Sequence, residues 1–373
     1  MANGTERSPV AFLRTSDDDD LVAGLDALLE KAGIDRIAPE GRIVAVKMHF
    51  GESSQTGHVR PHLVRRIVAW LTRAGLRPFV TDANTLYRGA RSDAIDHLRT
   101  AAEHGFTQAA LGAPVLIADG LRGTSETMLP FDGKHVSEAA FATELVKADA
   151  ILSVAHFKGH ELSGFGGAIK NLAMGGASRS GKLEQHSTTK PFVREHCTAC
   201  GTCAAWCPAD AIVVRERAEI DIETCIGCGE CLAVCPERAV GIRWDQATDV
   251  FQEKMVEYTK ALYDAKPRAI ACVNFITDVH PVCDCYGTAK KPICPDVGVT
   301  AAMDPVAVDQ ASLDLVNEAP ALRDSGLSSA YRAGGDKFRD LHPEVDSTVQ
   351  LRYAEVLGLG TRNYELFELE ERP

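Results

Sequence analysis

The stretch RIVAVKMHFGESSQTGHVRPHLVRRIVAWLTRAGLRPFVTDAN (42–84) decides the fold. Its opening, RIVAVKMHF (42–50), is rich enough in β-branched and apolar residues for a buried strand. PHLVRRIVAWLTRAG (61–75) begins with proline, ends with glycine and reads as a helix. RPFVTDAN (77–84) is a second strand. The unit is strand, helix, strand.

The alternation continues outward. A helix over 92–105 precedes the strand PVLIADG (114–120), and residues 138–148 lead into the strand AILSVAHF (150–157). Further on come a long helix over 246–265 and the strand AIACVNFI (269–276). VGVTAAM (297–303) leads into a helix over 304–318 with an Asp-Pro start, and YELFEL (364–369) closes as a strand. The acidic run 17–20 reads as a solvated helix start. Such alternation predicts an α/β body, a mainly parallel sheet covered on both faces by helices.

Eight of the twelve cysteines interrupt this pattern. They form Cys197-x2-Cys200-x2-Cys203-x3-Cys207-Pro208 and Cys225-x2-Cys228-x2-Cys231-x3-Cys235-Pro236. In the bacterial two-cluster pattern each [4Fe–4S] cubane takes three close cysteines and one from the other motif. One cluster then takes Cys197, Cys200, Cys203 and Cys235, and the other takes Cys225, Cys228, Cys231 and Cys207. Glycines 201, 227 and 229 permit positive φ, which turns backbone N–H groups toward the sulfurs. Each trailing proline stops its short helix. A disulfide framework or two zinc sites is the competing reading, and eight ordered cysteines with two such prolines disfavour it. The segment resembles a bacterial ferredoxin with two [4Fe–4S] clusters. The economical organisation is one α/β body, 1–190 and 245–373, with a ferredoxin-like α+β module inserted at 191–244. Two α/β domains joined by the ferredoxin are the alternative, disfavoured because the C-terminal part looks too short for its own sheet.

Bulk properties narrow the setting. At 373 residues and 45% hydrophobic, the chain has ample material for a packed core. MANGTERSPVAFLRT lacks a basic-then-apolar leader pattern, and no apolar run approaches a membrane span, so no membrane is expected. Thiolates meant for iron point to a reducing cytoplasm. A net charge of −12 argues against a nucleic-acid partner.

Residues 153–186, SVAHFKGHELSGFGGAIKNLAMGGASRSGKLEQH, concentrate polar chemistry at the end of a predicted strand. In open α/β sheets the ligand crevice lies beyond the carboxyl ends of the strands. Gly164, Gly166 and Gly167 can bring backbone N–H groups close to an anion, backed by the dipole of the following helix start. Lys170 and His160 are candidates for proton transfer or anion binding, with His156 and Lys158 beside them. A glycine-rich surface turn with solvated lysines is the competing reading. Gly176-x4-Gly181-Lys182 comes near a phosphate loop. Leu183 stands where a magnesium-binding hydroxyl belongs and no strand immediately precedes, so ATP hydrolysis is not expected.

Other pieces face the same predicted crevice. Lys47 and His49 follow the first strand, and Asp82 and Asn84 follow the second. Arg88 and Arg91 in LYRGAR can clamp a carboxylate or phosphate. Solvated or structural roles are the alternative for each. Lastly, HPVCDCYGTAKKPICPD (280–296) carries Cys283, Cys285 and Cys294. With His280 or Cys272 they offer enough ligands for zinc or another iron site, with a reversible disulfide as the main competitor. Cys272, on an apolar strand, reads as core.

These strings also carry a family resemblance. VAVKMHFGE (44–52), FVTDANTLYRGAR (79–91), HFKGHELSGFGGAIKNLAMG (156–175), the two cysteine motifs, CDC (283–285) and DPVAVDQASLDL (304–315) resemble the domain of unknown function 362 family with a ferredoxin insert. The resemblance implies the architecture and leaves the substrate open. His160-x3-Gly164-Phe165-x-Gly167-x2-Lys170 is distantly similar to the cofactor loop of nickel-pincer lactate racemases. That similarity implies His160 as acid/base and Lys170 as a cofactor contact.

The expected function is a cytoplasmic oxidoreductase that passes electrons from two [4Fe–4S] clusters to a small anionic substrate. An electron donor or acceptor protein is its expected partner. Two alternatives stand beside it: a non-redox racemase, lyase or ligand-binding protein with structural clusters, and an electron carrier for a partner enzyme.

Overall fold

The structure, a computed structural model, describes residues 7–15, 18–285 and 290–369. Its centre is an eight-stranded sheet. In chain order the strands are β1 (Ser8–Arg14), β2 (Ile43–Lys47), β3 (Arg77–Asp82), β4 (Val115–Ile117), β5 (Ala150–His156), β6 (Ile270–Ile276), β7 (Gly298–Ala302) and β8 (Tyr364–Glu368). Across the sheet the order is β8-β1-β7-β6-β5-β2-β3-β4. All neighbours pair in parallel except β7, which opposes both β1 and β6. The sheet is mainly parallel, as the alternation predicts.

Period-two side chains divide the core. Val44, Val46, Leu152, Val154 and Val273 face one layer, packed by α1 (Asp18–Lys31) and α2 (Pro61–Arg73). Ala45, Ile151, Ile270 and Cys272 face the other. That layer is closed by α4 (Ala168–Gly176), α6 (Thr248–Ala265), α7 (Pro305–Glu318) and α8 (Val349–Val356). Between these groups lie α3 (Ala94–Glu103) and α5 (Arg179–His186). Both central strands β5 and β6 are buried along their whole length, the mark of a sheet covered on both faces.

Several boundaries differ from the sequence expectation. β1 has no counterpart there, and VGVTAAM, expected to lead into a helix, is itself strand β7. Both owe their conformation to long-range pairing rather than local preference. PVLIADG shortens to Val115–Ile117 at the sheet edge. Residues 138–148 split into a strand Glu138–Ala142, paired with Glu126–Pro130 outside the main sheet, and a helical turn Thr143–Lys147. α1 begins at Asp18, and Asp17 lies outside the described residues. Among the described residues no helix is long and apolar enough to cross a membrane.

One sheet carries strands from both sides of residues 191–244. That stretch enters and leaves through the antiparallel pair Phe192–Val193 and Val240–Gly241. It holds a second short hairpin, Ile212–Val214 with Ala218–Ile220, and two short helices, Thr202–Ala205 and Glu230–Val234. Its small core gathers Cys203, Ile212, Ala218, Cys231, Cys235, Ala239 and Val240.

One buried carboxylate joins the layers. Asp309 on α7 accepts the N–H groups of Ala168 at 2.7 Å and Ile169 at 3.0 Å, and the Nδ2 of Asn274 at 2.7 Å. A side chain at Gly167 would strike its Oδ1 at 2.3 Å, which explains the glycine there. Asp309→Ala leaves the buried N–H groups of Ala168 and Ile169 unpartnered and takes one of two acceptors from Asn274 Nδ2. Urea unfolding of that variant is expected to show a loss of about 3 kcal/mol.

Candidate functional site

The strands β2, β3 and β5 end in Lys47, Asp82 and His156, and their carboxyl ends open into one cavity of about 540 Å³. Lys47, His49, Asp82, Arg91, His156, His160, Lys170, Lys182, Gly166, Gly167, Cys283 and Cys285 all line it. Residues from four distant parts of the sequence thus share one space.

The left wall, near β2 and β3, is an ion network. Lys47 Nζ lies 3.1 Å from Asp82 Oδ1 and 3.0 Å from Asn171 Oδ1. Arg91 reaches Glu52 at 3.2 Å, Asp82 at 3.4 Å and the Tyr87 hydroxyl at 2.9 Å. Burial opposes ionisation of Asp82, but Lys47 and His97 outweigh it and hold the carboxyl well below its usual range. His49 accepts the Gly51 N–H on Nδ1 at 2.9 Å, and burial keeps its ring neutral.

The opposite wall is the loop after β6. Asp284, fully buried between the two cysteines, accepts from His156 Nδ1 at 3.0 Å and Lys158 Nζ at 2.9 Å. His156 Nε2 faces the carbonyl of Thr277 at 2.9 Å. Both of its nitrogens are engaged, so His156 anchors the loop rather than exchanging protons. Gly159 N–H donates to the His280 carbonyl at 2.7 Å, and a side chain there would strike the Pro281 carbonyl oxygen at 2.2 Å. The clamp fixes Cys283 and Cys285 against the cavity.

Lys170 and His160 converge on Cys283. Lys170 Nζ lies 3.8 Å from its sulfur, and the Cys285 N–H donates to it at 3.4 Å. His160 Nδ1 accepts N–H groups from Leu162 at 3.2 Å and Ser163 at 3.3 Å. Its proton therefore sits on Nε2, and the ring stands beside Cys283 at the cavity wall. Burial, with Lys170 beside it, pushes His160 down to about 4. The Cys285 thiol, Lys170 and His160 together overcome burial and hold Cys283 well below the usual thiol value. Cys285 moves the opposite way, its proton held by the neighbouring sulfur.

Three expected contacts lie elsewhere. Arg88 turns away from the cavity and donates to the carbonyls of Cys235 at 2.5 Å and Pro236 at 3.1 Å. Gly164 has φ +74° against Ser347, a packing position. The start of α4 offers no free N–H cradle, because Asp309 already occupies it. Cys294 lies in the apolar core, where burial pushes it up to about 12, and Cys272 hydrogen-bonds Tyr263 in that core. Among the described residues no three or more His, Cys, Asp or Glu side chains gather closely enough to hold a single metal ion. Sequence reasoning overlooked Tyr87, Glu52, Asn171 and Asp284. An acid inside Cys-x-Cys, facing two cations in His156-Phe157-Lys158, was the signal for the last.

None of the eight motif cysteines is in a disulfide, and they sort into two small cavities. One is lined by Cys197, Cys200, Cys203 and Cys235, the other by Cys207, Cys225, Cys228 and Cys231. The N–H groups of Ala211, Ala218 and Ala239 donate to the sulfurs of Cys207, Cys197 and Cys235 at 3.3, 3.4 and 3.2 Å. Gly201, Gly227 and Gly229 have φ of 78°, 74° and 71°. A cubane binds each thiolate at a different iron, so its ligands ring a cavity rather than meet at a point. The donor set fits that chemistry.

An α/β protein with a polar cavity at the strand ends is the class these features define. Residues 44–314 match the family described as Domain of unknown function (DUF362), and the chain belongs to it. The lactate racemase apoprotein from Thermoanaerobacterium thermosaccharolyticum is similar with a TM-score of 0.37 and 14% identity, over 73% of this chain and 51% of that chain. The chain therefore spans about half the length of that protein. No curated protein matches the sequence.

Lys182 provides a test of the cavity charge. Its ammonium donates to the Ala177 carbonyl, and burial lowers it to about 8. An amine loses its charge above its pKa, so affinity for malonate, a small dianion, is expected to fall as pH rises through 8. Calorimetric titration should show this loss, and Lys182→Met should bind weakly with no further drop in that range.

Proposed function

We propose that this protein is an iron–sulfur oxidoreductase that acts on a small anionic substrate in the strand-end cavity. The observation that carries the reading is the sorting of eight cysteines into two four-thiol cavities with the distant ligands exchanged. Cys197, Cys200, Cys203 and Cys235 would hold one [4Fe–4S] cluster, and Cys225, Cys228, Cys231 and Cys207 the other. When bound, such clusters supply one-electron transfer at potentials set by N–H···S bonds and burial.

The residues between the two regions support a link. Arg88 binds the Cys235 carbonyl while its neighbour Tyr87 lines the cavity. Leu232, between Cys231 and Cys235, packs with Leu86 and Leu183. Leu86 also lines the cavity.

Charge favours an anion. Lys47, Arg91 and Lys158 are each paired with a carboxylate, whereas Lys170 faces a sulfur and Lys182 a carbonyl. Lys182 draws the substrate in, Lys170 being matched by the Cys283 sulfur, and His160 offers an Nε2 proton beside it. Trp244 and Met174 add apolar surface to the same space.

Anaerobic iron and sulfide analysis tests the reading. The reconstituted protein is expected to carry about eight irons and to show a paramagnetic signal on reduction. The double variant Cys203→Ser with Cys235→Ser should keep about four irons, because both belong to one site. Cys203→Ser with Cys207→Ser should lose both clusters. Equal iron in these two variants would defeat the exchanged-ligand assignment.

A further inference from the structure

Outside the eight motif cysteines, two thiols stand at the wall of the cavity with opposite character. The Cys285 N–H donates to the Cys283 sulfur at 3.4 Å, and the one residue between them has its carboxylate clamped away. We infer that Cys283 and Cys285 form a redox-active dithiol, with Cys283 attacking and Cys285 resolving, that reduces a small anionic disulfide. The geometry assigns the roles. A lysine ammonium at 3.8 Å and a backbone N–H at 3.4 Å both point at Cys283 sulfur. Burial alone would disfavour a thiolate, so two donors on one buried sulfur mark it as the nucleophile. Cys285, two residues on, lines the same cavity, where a resolving thiol must stand.

The atoms and electrons balance. The Cys283 thiolate attacks one sulfur of the bound disulfide, forming a mixed disulfide and releasing the first substrate thiolate. Cys285 sulfur then attacks Cys283 sulfur, closing the Cys283–Cys285 bond, and its proton leaves with the second substrate thiol. The substrate gains two electrons and the dithiol loses two. Return to the thiolate–thiol pair takes two electrons and one proton, a demand that a pair of one-electron donors meets. Neither Cys272 nor Cys294 can substitute, since both are buried away from the cavity.

The inference borrows the anion-attracting cavity from the proposed function and does not depend on the clusters. Its test uses the full chain, kept anaerobic with its iron content measured in parallel. Dithiodiglycolate, a small dianionic disulfide, is added, followed by alkylation and peptide mapping by mass spectrometry. Wild type should form the Cys283–Cys285 disulfide. Cys285→Ser should stop at a thioglycolate adduct on Cys283, and Cys283→Ser should form neither. Lys170→Met should move the midpoint of the pH profile of Cys283 alkylation upward by about one unit. Both sulfurs remaining fully alkylated in folded wild type, judged by circular dichroism, would overturn the dithiol. So would adduct formation at Cys285 in Cys283→Ser at the wild-type rate. Cystamine, a dicationic disulfide, should react at least tenfold more slowly. Disulfide formation at equal rates with both probes would overturn the anionic preference, and iron content reports separately on the clusters.

Discussion

The Asp309 carboxylate is the constraint on which the site rests. It caps the helix that carries Lys170 and holds Asn274 in the strand that leads to the cysteine loop. Ser312 on the same helix adds a hydroxyl to Asn274 at 3.1 Å, so the joint is fully buried and multiply bonded. Burial pushes Asp309 up to about 6, and its three donors oppose that rise. A helix start that looks like a ready anion cradle is therefore already committed to protein. The dipole is used to build the site, and the ligand must find its charge elsewhere.

That charge comes from side chains, and the arrangement is graded across the cavity. Near β2 and β3 the cations are matched by Asp82 and Glu52, which makes a rigid, neutral wall. Near α4 and α5 they face a sulfur and a backbone carbonyl. Among the described residues neither Lys170 nor Lys182 has a carboxylate within salt-bridge distance, and Asp119 acts on Lys182 from farther off. On the proposed function an anionic substrate would be drawn to this side, where Cys283 and His160 stand. His156 and Lys158 keep Asp284 out of that space by binding it behind the loop.

Much of this was legible in the sequence, and the failures have physical causes. Strand ends carrying Lys47, Asp82 and His156 could be recognised because apolar runs stop at polar residues there. β1 and β7 could not, since GVTAA and SPVAFLR gain their strand conformation only from partners far along the chain. Gly164 and Gly167 were read as anion contacts, but a glycine needed for packing looks identical to one needed for a ligand. Arg88 and Arg91, three residues apart, share a loop yet point to different regions. Cys294 is close in sequence to Cys285, yet the chain buries it in the apolar core away from the cavity. Such partings depend on side-chain direction, which spacing does not encode.

The first strand pairs on one side with β8 and on the other with β7, both made at the far end of the chain. Until those segments leave the ribosome, Val10 and Phe12 have no partners to cover them. Closure of the sheet therefore has to wait until residues 298–368 are made, the kind of non-local step that slows folding. Until then the first strand is an unpaired edge, open to pairing with other chains.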